Sequence, residues 1–343
     1  MADPLVSVVI PLYNAEEWIG ETIRSVQKQT VEPDNLDLII VDNGSTDRSV
    51  ECARTTLQEA PLEYRIVVMG ENRGPGAARN AGWLSSRAPW IQFLDSDDLL
   101  VPDKISFQLT AAQASPADVA SIYSEWQSYA HDGAEWKLTP PLRSPEIAAD
   151  PVLNHLEDKN FVHTGSQLFR TSWLRKVQGF DERWWLIEDV DLNMRLAMAG
   201  GRFASVHAGR PLFYYRRRGA SLSRRRRLEF LAGCVRNLRF AEDYWQEKSS
   251  LTPERVNFLL ESYESLLHDL APVDDNAFEE LLRHVLVLSP AWLPRHRGMH
   301  LLSRFVGYRA AERASIRYRE LKAFWRNARL SRRRAACLNR TEA

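Results

Sequence analysis

Four short, continuously apolar runs punctuate the first hundred residues: Val6–Ile10, Leu38–Val41, Ile66–Met69 and Ile91–Leu94. Apolar residues without polar alternation predict strands buried on both faces, as in a parallel sheet. Between the first two runs, Trp18, Ile19, Ile23 and Val26 recur at helical spacing, which predicts a helix over Asn14–Thr30 capped by Asn14. Gly44, Ser45 and Thr46 open a second helix through about Glu59, and Gly74-Pro75-Gly76 turn the chain into a third around Ala77–Ser86. Strands alternating with helices predict an α/β fold, a doubly wound, mostly parallel sheet flanked by helices. Ligands of such sheets sit at the carboxyl ends of the strands.

From Val119 to Tyr215 the pattern shifts to short mixed strands at Val119–Trp126, Gln167–Arg170, Arg202–His207 and Leu212–Arg216, with a helix over Asp189–Ala199. Beyond Ser221 the spacing is helical, and a run of four arginines, Arg224 to Arg227, marks the boundary. The division expected is 1–222 for an α/β half and 223–343 for a helical C-terminal region. Lys+Arg and Asp+Glu are both 45, a net charge of +0 that argues against a nucleic-acid binder with a strongly basic surface. Three cysteines, Cys52, Cys234 and Cys337, are too few and too scattered for a disulfide framework or a cysteine zinc site. With no apolar run of membrane-spanning length and no basic-then-apolar start, the chain reads as soluble and cytoplasmic.

Candidate chemistry gathers where the predicted strands end. The first ends in Pro11-Leu12-Tyr13-Asn14, the second in Asp42-Asn43-Gly44-Ser45 and the fourth in Asp95-Ser96-Asp97-Asp98. Three carboxylates in four residues repel one another unless a cation joins them. Hard oxygen ligands suit Mg²⁺ or Mn²⁺, which neutralise a diphosphate leaving group. The plainer reading is an acidic turn before a helix starting near Pro102-Asp103.

Five segments in this order resemble family 2 glycosyltransferases of the GT-A fold: Val8-Val9-Ile10-Pro11-Leu12-Tyr13-Asn14; Ile39-Ile40-Val41-Asp42-Asn43-Gly44-Ser45-Thr46-Asp47; Asn72-Arg73-Gly74 through Ala78-Arg79-Asn80-Ala81-Gly82; Leu94-Asp95-Ser96-Asp97-Asp98; and Gly179-Phe180-Asp181-Glu182 leading into Glu188-Asp189-Val190-Asp191-Leu192. The resemblance covers about two-thirds of the chain. It implies an inverting transferase that takes a sugar from a nucleotide-diphospho-sugar to an acceptor hydroxyl. Pro11, Tyr13, Asp42, Arg79, Asp95 and Ser96 would hold the donor nucleotide, with Asp42 on a base edge that suits uracil N3–H, and thymine equally. Asp97 would carry Mn²⁺ or Mg²⁺. Each has a plain structural reading beside it: an Asx-turn for Asp42, a solvated helix position for Arg79, packing for Tyr13.

Inversion needs a base for the acceptor proton. The resemblance gives that role to Asp189, with Asp191 behind it, against the alternative of a simple helix cap. Glu188, Trp184 and Trp185 would shape the acceptor pocket. Related enzymes often carry a His after the last core strand; here Arg218 stands where that His is sought, able to clamp a diphosphate but not to ligate a metal. His163 and His207 are the substitutes, each with a structural reading. The arginine-rich stretch from Ser303 to Arg340, interleaved with aromatics, can meet an anionic membrane surface or pack on its own domain. A nucleotidyltransferase would want a Gly-rich basic loop after the first strand, and an oxidoreductase G-x-G-x-x-G there; neither is present. A non-catalytic scaffold on the same fold is the competing class.

Overall fold

The computed structural model describes residues 3–58, 62–131, 133–217, 222–319 and 321–322. The chain opens with β1 (Val6–Leu12), α1 (Ile19–Gln27), β2 (Leu36–Asp42), α2 (Ser49–Leu57), β3 (Glu63–Val68), α3 (Pro75–Ser85) and β4 (Trp90–Phe93). It continues through β5 (Leu99–Leu100), α4 (Lys104–Ala114), β6 (Val119–Ser124), β7 (Trp126–His131), β8 (Trp136–Arg143), α5 (Pro151–Leu156), β9 (Gln167–Arg170), α6 (Thr171–Val177), α7 (Glu188–Met198), β10 (Arg202–Val206) and β11 (Phe213–Arg217).

A seven-stranded sheet runs in the order β10-β6-β9-β4-β1-β2-β3, parallel throughout except for β9. Successive residues of β1 feed opposite cores. Val8 and Ile10 pack with Ile19, Ile23 and Ala53 on one side, and Val9 packs with Ala78, Trp83 and Phe93 on the other. That two-sided burial explains the unbroken apolar runs. Gly82 lets α3 lie close on the sheet, because a Cβ there would collide with Val9 and press on Val41.

A smaller sheet, β5-β11-β7-β8, was visible in the sequence only in part. The run expected as one strand over Val119–Trp126 breaks at Glu125, whose backbone carbonyl accepts from Leu212 N–H, and β6 and β7 then serve different sheets. The β7–β8 hairpin was missed because its mixed, half-exposed sequence lacks an apolar period, and Pro140 and Pro141 sit on an edge strand where missing donors cost little.

Two further expectations need correction. The third strand, β3, is a half-exposed edge strand rather than one buried on both faces. Asn14 does not cap the first helix: Trp18 holds the cap position of α1, and Asn14, at φ 46°, accepts from Thr46 N–H at 2.8 Å.

The C-terminal region is helical, with α8 (Leu222–Arg225), α9 (Arg227–Glu247), α10 (Pro253–Leu270), α11 (Asp275–Leu288), α12 (Arg297–Val306) and a helix over 308–319. Thr252 caps α10 and Asp274 caps α11 through their side-chain oxygens. The described residues up to Gly233, with Arg239–Tyr244, form one compact unit. Cys234–Leu238 and the described residues from Trp245 onward form a second. No helix among the described residues is long and apolar enough to cross a membrane.

Candidate active site

The strands β1, β2 and β4 end side by side, Leu12 opposite Asp42 in register. Their loops surround a cleft of about 530 Å³ lined by Pro11, Tyr13, Asn43, Asn72, Arg79 and Asp95 among others, with Ser96, Asp97, Trp185, Glu188 and Arg216 on the remaining wall. Of the sequence-derived candidates, the structure thus brings together Pro11, Tyr13, Arg79, Asp95, Ser96, Asp97, Trp185 and Glu188. Asp42, Asp189 and Trp184 do not line it. Arg218 lies outside the described residues, as do Phe324 and Trp325 of the tail.

Backbone-directed side chains fix the floor. Asp42 Oδ1 accepts from Ser45 N–H at 3.0 Å, the local turn weighed as its plainer reading. Asn43 ties the end of β2 to the loop before α3, donating to Asn72 Oδ1 and Gly74 O and accepting from Arg73 N–H. Gly74, at φ +89°, permits that turn, and a Cβ there would sit 2.9 Å from the Trp185 ring. Asn80 joins two segments a hundred residues apart, donating to Phe180 O at 2.8 Å and accepting from Phe180 N–H at 2.9 Å. The sequence supplied both segments but not the residue that links them.

Arg79 is buried, not solvated. Its guanidinium donates to Asp95 Oδ1 and Glu188 Oε1, each at 2.7 Å. Burial alone would lower its pKa, but the two carboxylates more than offset this and hold the proton on. Glu188 pays the complementary cost: burial pushes it up to about 7 despite Arg79, and neighbouring Asp189 adds to the push. Asp189 stands in the first turn of α7, where the helix dipole favours an anion. The residue before α7, Ile187, is held at φ 62°, ψ 19°. A β-branched residue rarely adopts that conformation, and it costs on the order of 1–3 kcal/mol.

The acidic turn lies between β4 and β5, where the chain leaves the large sheet and enters the small one. Asp95, Asp98 and His163 bring potential ligand atoms within 4.8 Å of one another. Asp98 is 1% exposed, its Oδ2 is buried without a hydrogen-bond partner, and burial with the charges of Asp97 and Asp95 pushes its pKa well up. A carboxylate oxygen left so, among two further carboxylates, fits a divalent cation in chemistry. His163 fits less well: its Nδ1 accepts from Gly165 N–H at 3.1 Å, so the neutral ring keeps its proton on Nε2 and is not set up as a ligand. His207, the other substitute, bonds Ser205 and faces Glu125 instead. The protein also supplies positive charge of its own to these carboxylates, since Arg79 pairs with Asp95.

A profile described as "Glycosyl transferase family 2" matches residues 7–177. The succinoglycan biosynthesis protein ExoO of Rhizobium meliloti is 31% identical over 241 residues, 68% of this chain and 66% of that protein. In the solved structures, S. aureus TarS 1–349 in complex with UDP-GlcNAc superposes with a TM-score of 0.62 at 17% identity over 91% of both chains. The mannosyltransferase PcManGT from Pyrobaculum calidifontis, in complex with GDP-Man and Mn²⁺, gives 0.53 at 16% identity over 92% of this chain and 87% of that one. These likenesses establish a shared fold. The chain spans less than half the length of the first curated relatives it matches, 41% and 47%.

Proposed function

The chain belongs to glycosyl transferase family 2, and from that footing we propose that it is an inverting glycosyltransferase moving a sugar from a nucleotide-diphospho-sugar, a UDP-sugar first, to a saccharide or glycoconjugate acceptor. The observation that carries this reading is the cleft itself, in which Pro11, Tyr13, Arg79, Asp95 and Asp97 converge at the carboxyl ends of three parallel strands. The UDP-GlcNAc bound by TarS supports the donor class, and ExoO's part in succinoglycan biosynthesis supports a glycan acceptor.

Tyr13, 45% exposed and lining the cleft, would stack on the nucleobase. Asp42 would meet the base edge through Oδ2, Oδ1 being engaged by Ser45. Asp97, with Asp95, would hold Mn²⁺ or Mg²⁺, which when bound supplies positive charge to the leaving diphosphate. Asp189 would take the acceptor hydroxyl proton as the new glycosidic bond forms and the bond to the diphosphate breaks. Glu188 and Trp185 would shape the acceptor side, Trp184 and Arg218 standing with them as sequence-derived candidates. The catalytic part is placed in 1–222, and peripheral contact with the inner membrane face in the basic C-terminal region.

The test is nucleotide release from a panel of UDP-, GDP- and dTDP-sugars, with and without Mn²⁺, on the native protein and on Asp97→Ala. The variant is expected to lose more than about 100-fold of Mn²⁺-stimulated turnover, the scale of losing a charge-stabilising group. Release that is equal with and without Asp97 would remove the metal assignment, and no release from any donor would favour the scaffold.

A further inference from the structure

Arg216, which the sequence did not single out, is a deeply buried charged side chain beside the cleft, at 1% exposure. It sits on β11, the strand that pairs antiparallel with β5 immediately after the acidic turn and lies in register with Tyr129 of β7. Three bonds radiate from it. Its backbone N–H donates to Asp98 Oδ1 at 2.7 Å, its Nε donates to Asp97 O at 2.7 Å, and its Nη2 donates to Glu21 Oε2 at 2.6 Å. The guanidinium lies over the rings of Trp18 and Trp136, 4.7 and 4.9 Å from their centroids, which themselves meet edge-on at 5.6 Å.

We propose that Arg216 is the positioning residue of the acidic turn, holding the backbone of Asp97 and the carboxylate of Asp98 in the arrangement that receives the cation and diphosphate. The inference rests on the cation-dependent reading above. Arg216 borders the cleft, but only 1% of its side chain is exposed and its Nε and Nη2 are engaged by Asp97 O and Glu21, so its effect passes through the residues it holds. A loop of adjacent carboxylates tends to spread by mutual repulsion. Two bonds from one residue to consecutive members of that loop oppose the spreading. The aromatic rings and Glu21 in turn fix the guanidinium, so the turn is referenced to α1, β7, β8 and β11 together. Losing such an outer partner typically weakens metal binding about 10- to 100-fold.

The alternative, that Arg216 acts only as a nearby charge, has the opposite sign. A cation near a cation site weakens binding, so removing the charge would tighten it. Glu21, 59% exposed and paired with Nη2, balances that charge, and the holding effect is therefore expected to dominate.

The experiment measures Mn²⁺ and UDP binding by calorimetry and by Mn²⁺ spin resonance, without turnover, alongside thermal melting. Arg216→Met, which keeps the length and the backbone N–H, is expected to weaken Mn²⁺ binding in the presence of UDP by about 10-fold or more. UDP affinity in chelator should stay near native. Arg216→Lys, able to satisfy one partner but not the fork, should fall between the two. Glu21→Gln, a surface change that leaves the fold intact, should weaken Mn²⁺ binding a few-fold and decides the matter if Arg216→Met does not fold. Unchanged or tighter Mn²⁺ binding in a folded Arg216→Met, or an unchanged constant in Glu21→Gln when that variant decides, overturns the inference. Native protein that binds UDP with no dependence on Mn²⁺ overturns the reading beneath it as well, and that result is distinguishable because it appears before any substitution is made.

Discussion

At the scale of single residues, Glu188 and Asp189 are neighbours in different surroundings. Glu188 is buried and committed to Arg79, whereas Asp189 is half-buried at the helix start. Asp189 lies inside the first turn rather than at the cap, and Asp189→Asn keeps its shape and the Oδ1 that accepts from Val190 N–H but cannot accept a proton. It should fold and bind donor normally while transfer falls by about 100- to 10,000-fold, the span of a general base. Near-native transfer in that variant, with loss in Asp191→Asn, would move the base one step along the helix. Glu188 carries a pH dependence. Its folded pKa of about 7 lies above the ordinary glutamate value near 4.3, so its contribution to stability is fullest at low pH and is lost as pH climbs to about 7. Protonation also frees Arg79 from one of its two carboxylates, leaving more positive charge for an anionic ligand. UDP binding should therefore strengthen as pH falls from about 8 to about 6. In Glu188→Gln, affinity should be flat across that range, as read by calorimetry at both ends; a native slope surviving in the variant would assign the titration elsewhere.

At the scale of elements, α4 brings an unusual residue into the core. Lys104 is fully buried, donating to Gln92 Oε1 and Gln167 O, with burial forcing its pKa well down. No carboxylate is among these partners, so nothing offsets the push of burial toward the neutral amine. The unfolded chain keeps that proton up to the ordinary lysine value near 10.4. Unfolding below that value takes up a proton, so stability rises with pH through the window and falls as pH drops. Lys104→Met should remove this slope and be at least as stable as native near pH 7 in denaturant titrations; parallel slopes would show that Lys104 is not its source. Elements like β1, β2 and α7 were legible in the sequence because a two-sided core and an amphipathic period leave a pattern in a single stretch. The β7–β8 hairpin and the roles of Asn80 and Arg216 were not, because each depends on partners far along the chain. Arg216 bonds residues 118, 119 and 195 positions away. In sequence it is only one arginine among three adjoining ones, with nothing local to set it apart from Arg217 or Arg218.

At the scale of the whole molecule, a net charge of +0 conceals a strong division. Residues 291–343 hold 14 basic and 3 acidic side chains, an excess of 11 that the rest of the chain balances. Within that stretch α12 is turned inside out: it buries Ser303 while Leu301 is 60% and Phe305 79% exposed. Leu302 and Val306 extend the same exposed arc, and Arg297 and Arg304 stand on its shoulder without a salt bridge among the described residues. Apolar residues outward beside unpaired arginines match an anionic lipid surface better than water. The native protein should therefore sediment with vesicles rich in phosphatidylglycerol at low salt and leave neutral phosphatidylcholine vesicles in solution. Each arginine near such a surface contributes about 1 kcal/mol, so Arg297→Gln with Arg304→Gln should weaken binding about 30-fold. Phe305→Asp should act through the apolar term and weaken binding to a similar degree even at high salt, where the arginines are screened. None of these changes touches a cleft-lining residue, so UDP affinity should not move. Equal binding to neutral and anionic vesicles would remove the electrostatic part of the argument. Binding to neither would leave the face of α12 to a protein partner.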